Sequence, residues 1–415
     1  MYRRKEEYSD VIIPYQGEGS TILPQELVGM GGNEAVAYAT KQANVDVVAA
    51  YPITPQTIMV ERFSEYVANG ETNAEFVCVE SEHSAMSACV GASLAGARVM
   101  TSSSSQGLAL MHEALYLASG LRCPIVMMVA NRALSAPINI HGDHSDMMGS
   151  RDCGWIQIYV ENPQEAYDWT FQALKVAEDP EISLPATVNL DGFTVTHAME
   201  DLNILSDDQV GGFLPPRKPV FTLAPEKPLT VGALAMPDYY YEVKRQQEEA
   251  IRKVPEVLRR VTKDYEKVST RKYGEIQTFE MEDAETAILC LGSTAGTVRT
   301  VVRELRGKGK KVGAVKLWLY RPFPIEELKS VICNLKALAV VERAISFGAP
   351  CGALASDVAS ILQDCEKKPK ILDAICGLGG RDIATQDIRL VFDEVDQVAR
   401  TGIVRDRVKF VGVRE

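Results

Sequence analysis

The chain has 415 residues, 46% of them hydrophobic and 24% charged, which is length for two or three domains that each bury a core and the ordinary balance of an ordered globular protein. Its 44 Lys and Arg against 56 Asp and Glu give a formal charge of −12, so a phosphate backbone would meet an unfavourable overall field and no nucleic-acid partner is expected. No stretch approaches about eighteen uninterrupted apolar residues, and the basic start Met1–Lys5 has no apolar segment behind it, so neither membrane insertion nor a leader is expected and the cytoplasm is.

A polar arm is expected over residues 1–27. Gly29-Met30-Gly31-Gly32-Asn33-Glu34-Ala35 then leads into the Ala-rich run Ala35–Ala43, which reads as a helix. The glycines are poor candidates for a phosphate cradle, because they lack the GxGxxG spacing and follow no clear strand. Short apolar runs follow at Val45–Ala50, Phe76–Val79, Val99–Ser102, Ile125–Val129, Ile156–Val160 and Ala186–Leu190, separated by amphipathic stretches. That alternation predicts a mostly parallel sheet covered by helices, one α/β domain over 28–200. From 201 to 280 prolines gather, and the run from Tyr241 to Tyr273 is highly charged and helix-like. A connection of that length is rarely idle and is expected to be an interdomain arm. A second α/β pattern starts at Thr286-Ala287-Ile288-Leu289-Cys290-Leu291 and continues with Val312–Leu317, Ala337–Val341 and Lys370–Ala374. It predicts a four- or five-stranded domain over 281–400, followed by a tail over 401–415.

Nine cysteines are present and no two are separated by only two residues, so zinc or iron–sulfur ligand spacing is absent. Several lie in apolar runs, Ile288-Leu289-Cys290-Leu291 and Val331-Ile332-Cys333. Free buried thiols in a reducing compartment are expected there.

Chemistry is expected where strands end. Thr54 lies between Pro52 and Pro55, which bias its backbone toward an extended form and hold its hydroxyl at the end of the first strand. Ligands of open α/β sheets bind at such ends. Glu82 opens a helix of small residues, a position where a carboxylate is also stabilised by the helix dipole alone. Arg132 follows the strand at Ile125–Ala130, where a guanidinium is suited to a carboxylate and equally to a structural ion pair. Ser102–Ser105 with Gln106 and Gly107 form a polar loop on the same edge, without the Gly-x-Ser-x-Gly of a hydrolase. His141-Gly142-Asp143-His144-Ser145-Asp146 lacks the histidine pair of a metal helix and reads as a turn lining the site or an interface. Gly377-Leu378-Gly379-Gly380-Arg381-Asp382 reads first as a loop needing positive φ, and second as a close approach to a neighbour or an anion.

Taken in order, Tyr51-Pro52-Ile53-Thr54-Pro55, Glu80-Ser81-Glu82-His83-Ser84-Ala85, Ser104-Ser105-Gln106-Gly107, Asn131-Arg132-Ala133-Leu134 and Gly142-Asp143-His144-Ser145-Asp146 resemble the α subunit of the pyruvate:ferredoxin oxidoreductase family. The resemblance runs from about Gly31 to Ile403. It implies an α/β fold with a doubly wound thiamine-diphosphate-binding domain of the transketolase pyrimidine type, followed by a domain like the transketolase C-terminal one. It implies oxidative decarboxylation of a 2-oxoacid, with formation of an acyl-coenzyme A and electrons passed to ferredoxin. Glu82 matches the acid that hydrogen-bonds the aminopyrimidine nitrogen, and Tyr51, Pro52, Ile53, Ser105 and Gln106 match cofactor-lining positions. Thr54 and Arg132 match the positions that hold the substrate carboxylate.

No Gly-Asp-Gly with a downstream asparagine is present, so the resemblance assigns Mg2+ and the cofactor diphosphate to a β subunit. It assigns [4Fe-4S] clusters to γ- and δ-type partner subunits in a hetero-oligomer of anaerobic metabolism. Pyruvate is the first substrate expected, ahead of branched-chain or aryl 2-oxoacids such as 2-oxoisovalerate and phenylglyoxylate. A transketolase-type transferase and a scaffold subunit without catalysis are the alternatives.

Overall fold

A computed structural model describes residues 25–414, so the arm expected over 1–27 lies outside them but for its last three residues. Strand β1 (Glu26–Met30) passes through Gly31 into helix α1 (Gly32–Gln42), which takes up most of the Ala-rich run. Its small side chains bring α1 close against a later helix under the first sheet.

The six apolar runs of the first half all become strands: β2 (Val47–Ala50), β3 (Glu75–Cys78), β4 (Val99–Ser103), β5 (Ile125–Asn131), β6 (Ile156–Val160) and β7 (Ala186–Asp191). Their mutual pairings are all parallel. Between them lie α2 (Thr57–Ala68), α3 (Glu82–Leu94), α4 (Ser105–Leu110), α5 (His112–Gly120), α6 (Ser145–Gly149) and α7 (Pro163–Ala177). Strands β4 to β7 are buried along their whole length, as parallel strands with helices on both faces must be. The spatial order β6-β7-β5-β4-β2-β3 places β3 on one side of β2 and β4 on the other. The chain therefore reverses direction across the sheet between β2 and β4, and a crevice opens at their C-terminal ends.

Strand β8 (Glu200–Ile204) returns to pair antiparallel with β1, and α8 (Asp207–Phe213) follows. The charged run is a single helix, α9 (Pro237–Ser269), of 33 residues. Ala250, Val254, Val257, Leu258, Val261 and Tyr265 are its buried stripe, spaced by three and four residues, and α9 packs on α7. Asp168, buried on α7, fastens the end of this arm. It accepts from Tyr265 Oη at 2.6 Å, Tyr273 Oη at 2.5 Å, and Arg271 Nε and Nη2 at 2.6 and 2.8 Å. Replacing Asp168 by alanine leaves Arg271 and two phenols without their acceptor, and is expected to cost about 3–5 kcal/mol, read as a lower melting temperature of the purified subunit.

The second half builds its own sheet from β9 (Ile276–Phe279), β10 (Thr286–Leu291) and β11 (Val312–Leu317), with helix α10 (Thr294–Gly307) between the last two. The chain then makes β12 (Leu319–Arg321) and α11 (Ile325–Ile332), followed by β13 (Ala337–Glu342), α12 (Ala353–Ile361), β14 (Lys370–Ile375), α13 (Thr385–Thr401) and β15 (Val408–Phe410). The order is β15-β14-β13-β10-β11-β9, with only β9 antiparallel to its neighbour. Alternation along β10 sends Ala287, Leu289 and Leu291 to the core under α11 and α12, and Ile288 and Cys290 to the core under α10 and α13. This sheet has six strands where the apolar runs predict four or five, because β9 and β15 are short edges carrying little apolar signal.

Strand β12 does not join that sheet. It crosses to the first one and pairs antiparallel with β6 as its outermost strand. Buried Lys316 reinforces the junction, donating to Glu161 at 2.8 Å and Glu165 at 2.5 Å across the two halves. In the second sheet, Glu342 accepts from Leu354 and Ala355 N–H at the start of α12, and Asp373 accepts from Gly352 N–H. Burial, then the neighbouring Asp373, pushes the Glu342 carboxyl up to about 8, and burial pushes Asp373 up to about 6. A folded state that holds these protons more tightly than the unfolded chain loses that stabilisation as pH climbs through the folded values. The melting temperature is therefore expected to decline as pH rises from about 5 to about 8 and to level off above that, with a shallower decline in Glu342→Gln.

One cysteine expectation is corrected. Cys333 is not a free thiol: it is bonded to Cys365, Cα to Cα 5.9 Å, where the ends of α11 and of the turn after α12 meet. A separation of 32 residues carries no local signature of that meeting. Cys290 remains a free, buried thiol. No helix of the described residues is long and apolar enough to cross a membrane.

Candidate active site

The loop after β2 is held from three sides. Gln56, fully buried, donates from Nε2 to Ser102 Oγ at 2.7 Å and Ser102 O at 3.0 Å, while its Oε1 accepts from Ile53 N at 3.2 Å. Asn33 Nδ2 donates to Pro55 O at 2.8 Å, and Arg132 Nη1 donates to Thr54 O at 2.9 Å. The Thr54–Pro55 peptide is cis. With its backbone tied to α1, β4 and the end of β5, the loop presents Tyr51, Pro52 and Thr54 exposed, and Ile53 half-buried, at the lip of the crevice.

Glu82 is the first residue of α3, behind an N-cap in which Ser81 Oγ accepts from Ser84 N. It is 7% exposed, and no donor among the described residues reaches its carboxylate. Gly107 lies directly against it: a β-carbon there would stand 2.5 Å from Glu82 Oε1. Ser103 Oγ, buried without a hydrogen-bond partner among the described residues, borders the same spot. A carboxylate out of water with no partner is costly unless a bound group supplies one. The bare backbone of Gly107 keeps the place open for it.

Arg132 leaves the end of β5 and is 7% exposed. Besides its bond to Thr54 O, its Nε donates to Asn139 O at 2.9 Å. Nη2 and the second hydrogen of Nη1 have no partner among the described residues, and that edge suits a carboxylate. Burial draws the guanidinium below its usual pKa. Ser105 is fully buried at positive φ, its Oγ within 2.6 Å of both Ala133 O and Gln106 Oε1, and Gln106 is half-buried beside it.

Asp146 organises these strand ends, a role that the sequence of the 141–146 segment does not assign to it. Its Oδ2 accepts from Ser105 N at 3.0 Å and Arg132 N at 2.9 Å; its Oδ1 accepts from Asn131 Nδ2 at 2.9 Å and Met147 N at 2.7 Å. Burial pushes its carboxyl up to about 6. Only an ionised carboxylate can accept all four bonds. Gln56 is the second residue missed, since its role depends on β4 lying beside β2.

His141 and His144 of the 141–146 turn serve packing. His144 Nε2 lies 2.5 Å from Asp191 Oδ1, whereas His141 stacks near Phe193, so the two rings face different partners. Asp191, at the end of β7, also accepts from Ser293 N at 2.8 Å and pairs with Arg343 at 2.9 Å. Burial alone would raise its pKa, but Arg343 and His144 together hold it well below the usual carboxylate range. Arg343 Nη2 donates to Gly142 O at 3.0 Å. The turn thus joins the C-terminal ends of the two sheets.

A parallel sheet whose switch point carries an unpartnered acid, followed by a second α/β unit, is the architecture of the transketolase-like, thiamine-diphosphate-binding proteins. A split-gene transketolase covers 90% of this chain and all of its own length at a TM-score of 0.53 and 13% identity. A 2-oxoglutarate:ferredoxin oxidoreductase from Magnetococcus marinus covers 90% of this chain and 66% of its own at a TM-score of 0.69 and 19% identity; at these identities both establish the fold alone.

Residues 38–263 match the family described as pyruvate flavodoxin/ferredoxin oxidoreductase, thiamine-diphosphate-binding, and residues 284–388 match pyruvate:ferredoxin oxidoreductase core domain II. Pyruvate synthase subunit PorA of Thermotoga maritima is 48% identical over 391 residues, 94% of this chain and 99% of the relative. The same subunit of Methanocaldococcus jannaschii is 46% identical over 92% of this chain and 97% of the relative. The ketoisovalerate oxidoreductase subunit VorA of Pyrococcus horikoshii is 43% identical over 90% of this chain and 94% of the relative. The chain belongs to the pyruvate:ferredoxin oxidoreductase family, as an α subunit.

Proposed function

We infer that the chain is the α subunit of a thiamine-diphosphate-dependent 2-oxoacid:ferredoxin oxidoreductase that converts pyruvate and coenzyme A to acetyl-coenzyme A and carbon dioxide. The observation that carries this reading is the nearly buried, unpartnered Glu82 carboxylate against Gly107, a place that fits the aminopyrimidine ring of thiamine diphosphate. When bound, the cofactor supplies the electron sink for decarboxylation. Glu82 holds a proton at the ring nitrogen, and Tyr51, Pro52, Ile53, Ser105 and Gln106 shape the walls around the ring. The Thr54 hydroxyl and the free edge of Arg132 meet the substrate carboxylate.

The diphosphate and its Mg2+ are held by a β subunit. Electrons leave through [4Fe-4S] clusters on γ- and δ-type subunits to ferredoxin, in a cytoplasmic complex. The domain limits are 28–200, 201–280 and 281–400, with the cofactor ring in the first unit and the 201–280 arm connecting it to the second, packed on α7 through α9. 2-Oxoisovalerate is the second reading for the substrate, favoured by the likeness to the ketoisovalerate oxidoreductase subunit.

The test is coenzyme A-dependent reduction of ferredoxin or viologen by the assembled complex with pyruvate, 2-oxoisovalerate, 2-oxoglutarate or phenylglyoxylate. Pyruvate is expected to give the highest kcat/KM. No reduction with any of the four, in a complex holding cofactor and intact clusters, would overturn the reading.

A further inference from the structure

We propose that the Gly377–Gly380 turn of the second α/β unit is a positioning element for the Arg132 guanidinium, acting through Asn139. The inference rests on the reading that Arg132 receives the substrate carboxylate.

Arg132 Nε is directed by the carbonyl of Asn139. That carbonyl belongs to a stretch, 133–144, without helix or strand, and residues 135–138 are exposed, so the loop has no regular ladder to fix it. The Asn139 side chain does so instead. Its Nδ2 donates to Gly379 O at 3.0 Å, and its Oδ1 accepts from His141 N at 2.7 Å. Asp143 Oδ2 accepts from Gly379 N at 3.0 Å, while Asp143 Oδ1 fastens Ser145 N and Oγ at the start of α6. Both the N–H and the C=O of Gly379 are therefore spent on the loop that aims Arg132, from more than 230 residues away in the chain.

The turn is shaped for this contact. Gly377, Gly379 and Gly380 have φ of +66°, +59° and +76°, backbone that side chains rarely adopt. A β-carbon on Gly379 would fall against Asn139 Nδ2, and one on Gly380 against His141 Cβ. Positive φ alone would tolerate asparagine; a side chain on Gly379 would instead push away the Asn139 amide that tethers the loop. Gly402 separates the two demands, since it has φ of +71° and nothing within 4 Å of where a β-carbon would stand.

The experiment compares KM and kcat for the 2-oxoacid in assembled complexes. Gly379→Ala is expected to raise KM on the order of 10- to 100-fold with a much smaller change in kcat. Gly402→Ala, with the same backbone penalty and no such contact, is expected to leave KM unchanged. Asn139→Ala keeps the backbone carbonyl but removes its tether, and is expected to reproduce the KM rise; it decides the matter if Gly379→Ala does not assemble. In an Arg132→Ala background neither change is expected to raise KM further.

If Arg132→Ala raises KM while Gly379→Ala and Asn139→Ala do not, the positioning role is overturned and the carboxylate reading stands. A rise that persists in full on top of Arg132→Ala overturns it as well. If Arg132→Ala itself leaves KM unchanged, the carboxylate reading fails and takes this inference with it.

Discussion

Glu82→Gln is expected to lower turnover of the assembled complex about 10²- to 10⁴-fold, the range of a lost proton-transfer group. The substitution is nearly isosteric. The first turn of α3 keeps its Ser81 cap, and the side chain still rests against the backbone of Gly107. What changes is the group offered to a ring nitrogen, from an acid that can hold or release a proton to an amide that does neither. Subunit assembly, followed by size-exclusion chromatography, should be unaltered. Wild-type turnover in the variant would remove Glu82 from the chemistry and leave its burial without a partner unexplained.

The second large effect is expected at Arg132. On the proposed reading, replacement by alanine removes a charge-assisted contact to the substrate carboxylate, worth about 1.5–3 kcal/mol, so the apparent KM for the 2-oxoacid should rise on the order of 10- to 150-fold. Lysine restores the charge but not the planar fork, and it cannot hold Thr54 O and Asn139 O while meeting a ligand. Arg132→Lys should therefore recover only part of the affinity. An unaltered KM in both variants would make the guanidinium a brace for the Thr54 loop and nothing more.

The first sheet was legible because its strands carry short apolar runs; β5 announces itself by composition alone, while β4, β6 and β7 hold polar residues that are buried along with their apolar ones. Strands β1, β8, β9 and β15 do not announce themselves, since they are largely exposed, and exist only because a partner lies alongside. The charged run after the prolines read as a helix, and α9 is one, displaced by four residues toward the N-terminus at each end. Thr54, Glu82 and Arg132 stood out as polar groups where a strand stops or a helix starts, and the fold places all three along the C-terminal edge of one sheet. Asp146 and Gln56 stayed hidden because their importance lies in bonds gathered from separate strands. The Cys333–Cys365 bond was hidden for the same reason.

Strand β12 has a bearing on how this polypeptide can be divided. The outermost strand of the first sheet is encoded after three strands of the second, so a gene cut after α9 yields an N-terminal fragment whose β6 shows a bare row of peptide groups. Glu161 and Glu165 would face solvent there without Lys316. Such a fragment would be prone to pair with other copies of itself through that open edge. Residues 319–321, supplied as a separate peptide or grafted behind the arm, are the minimal patch that closes it. The two α/β units are thus separable as architecture but not as pieces of chain.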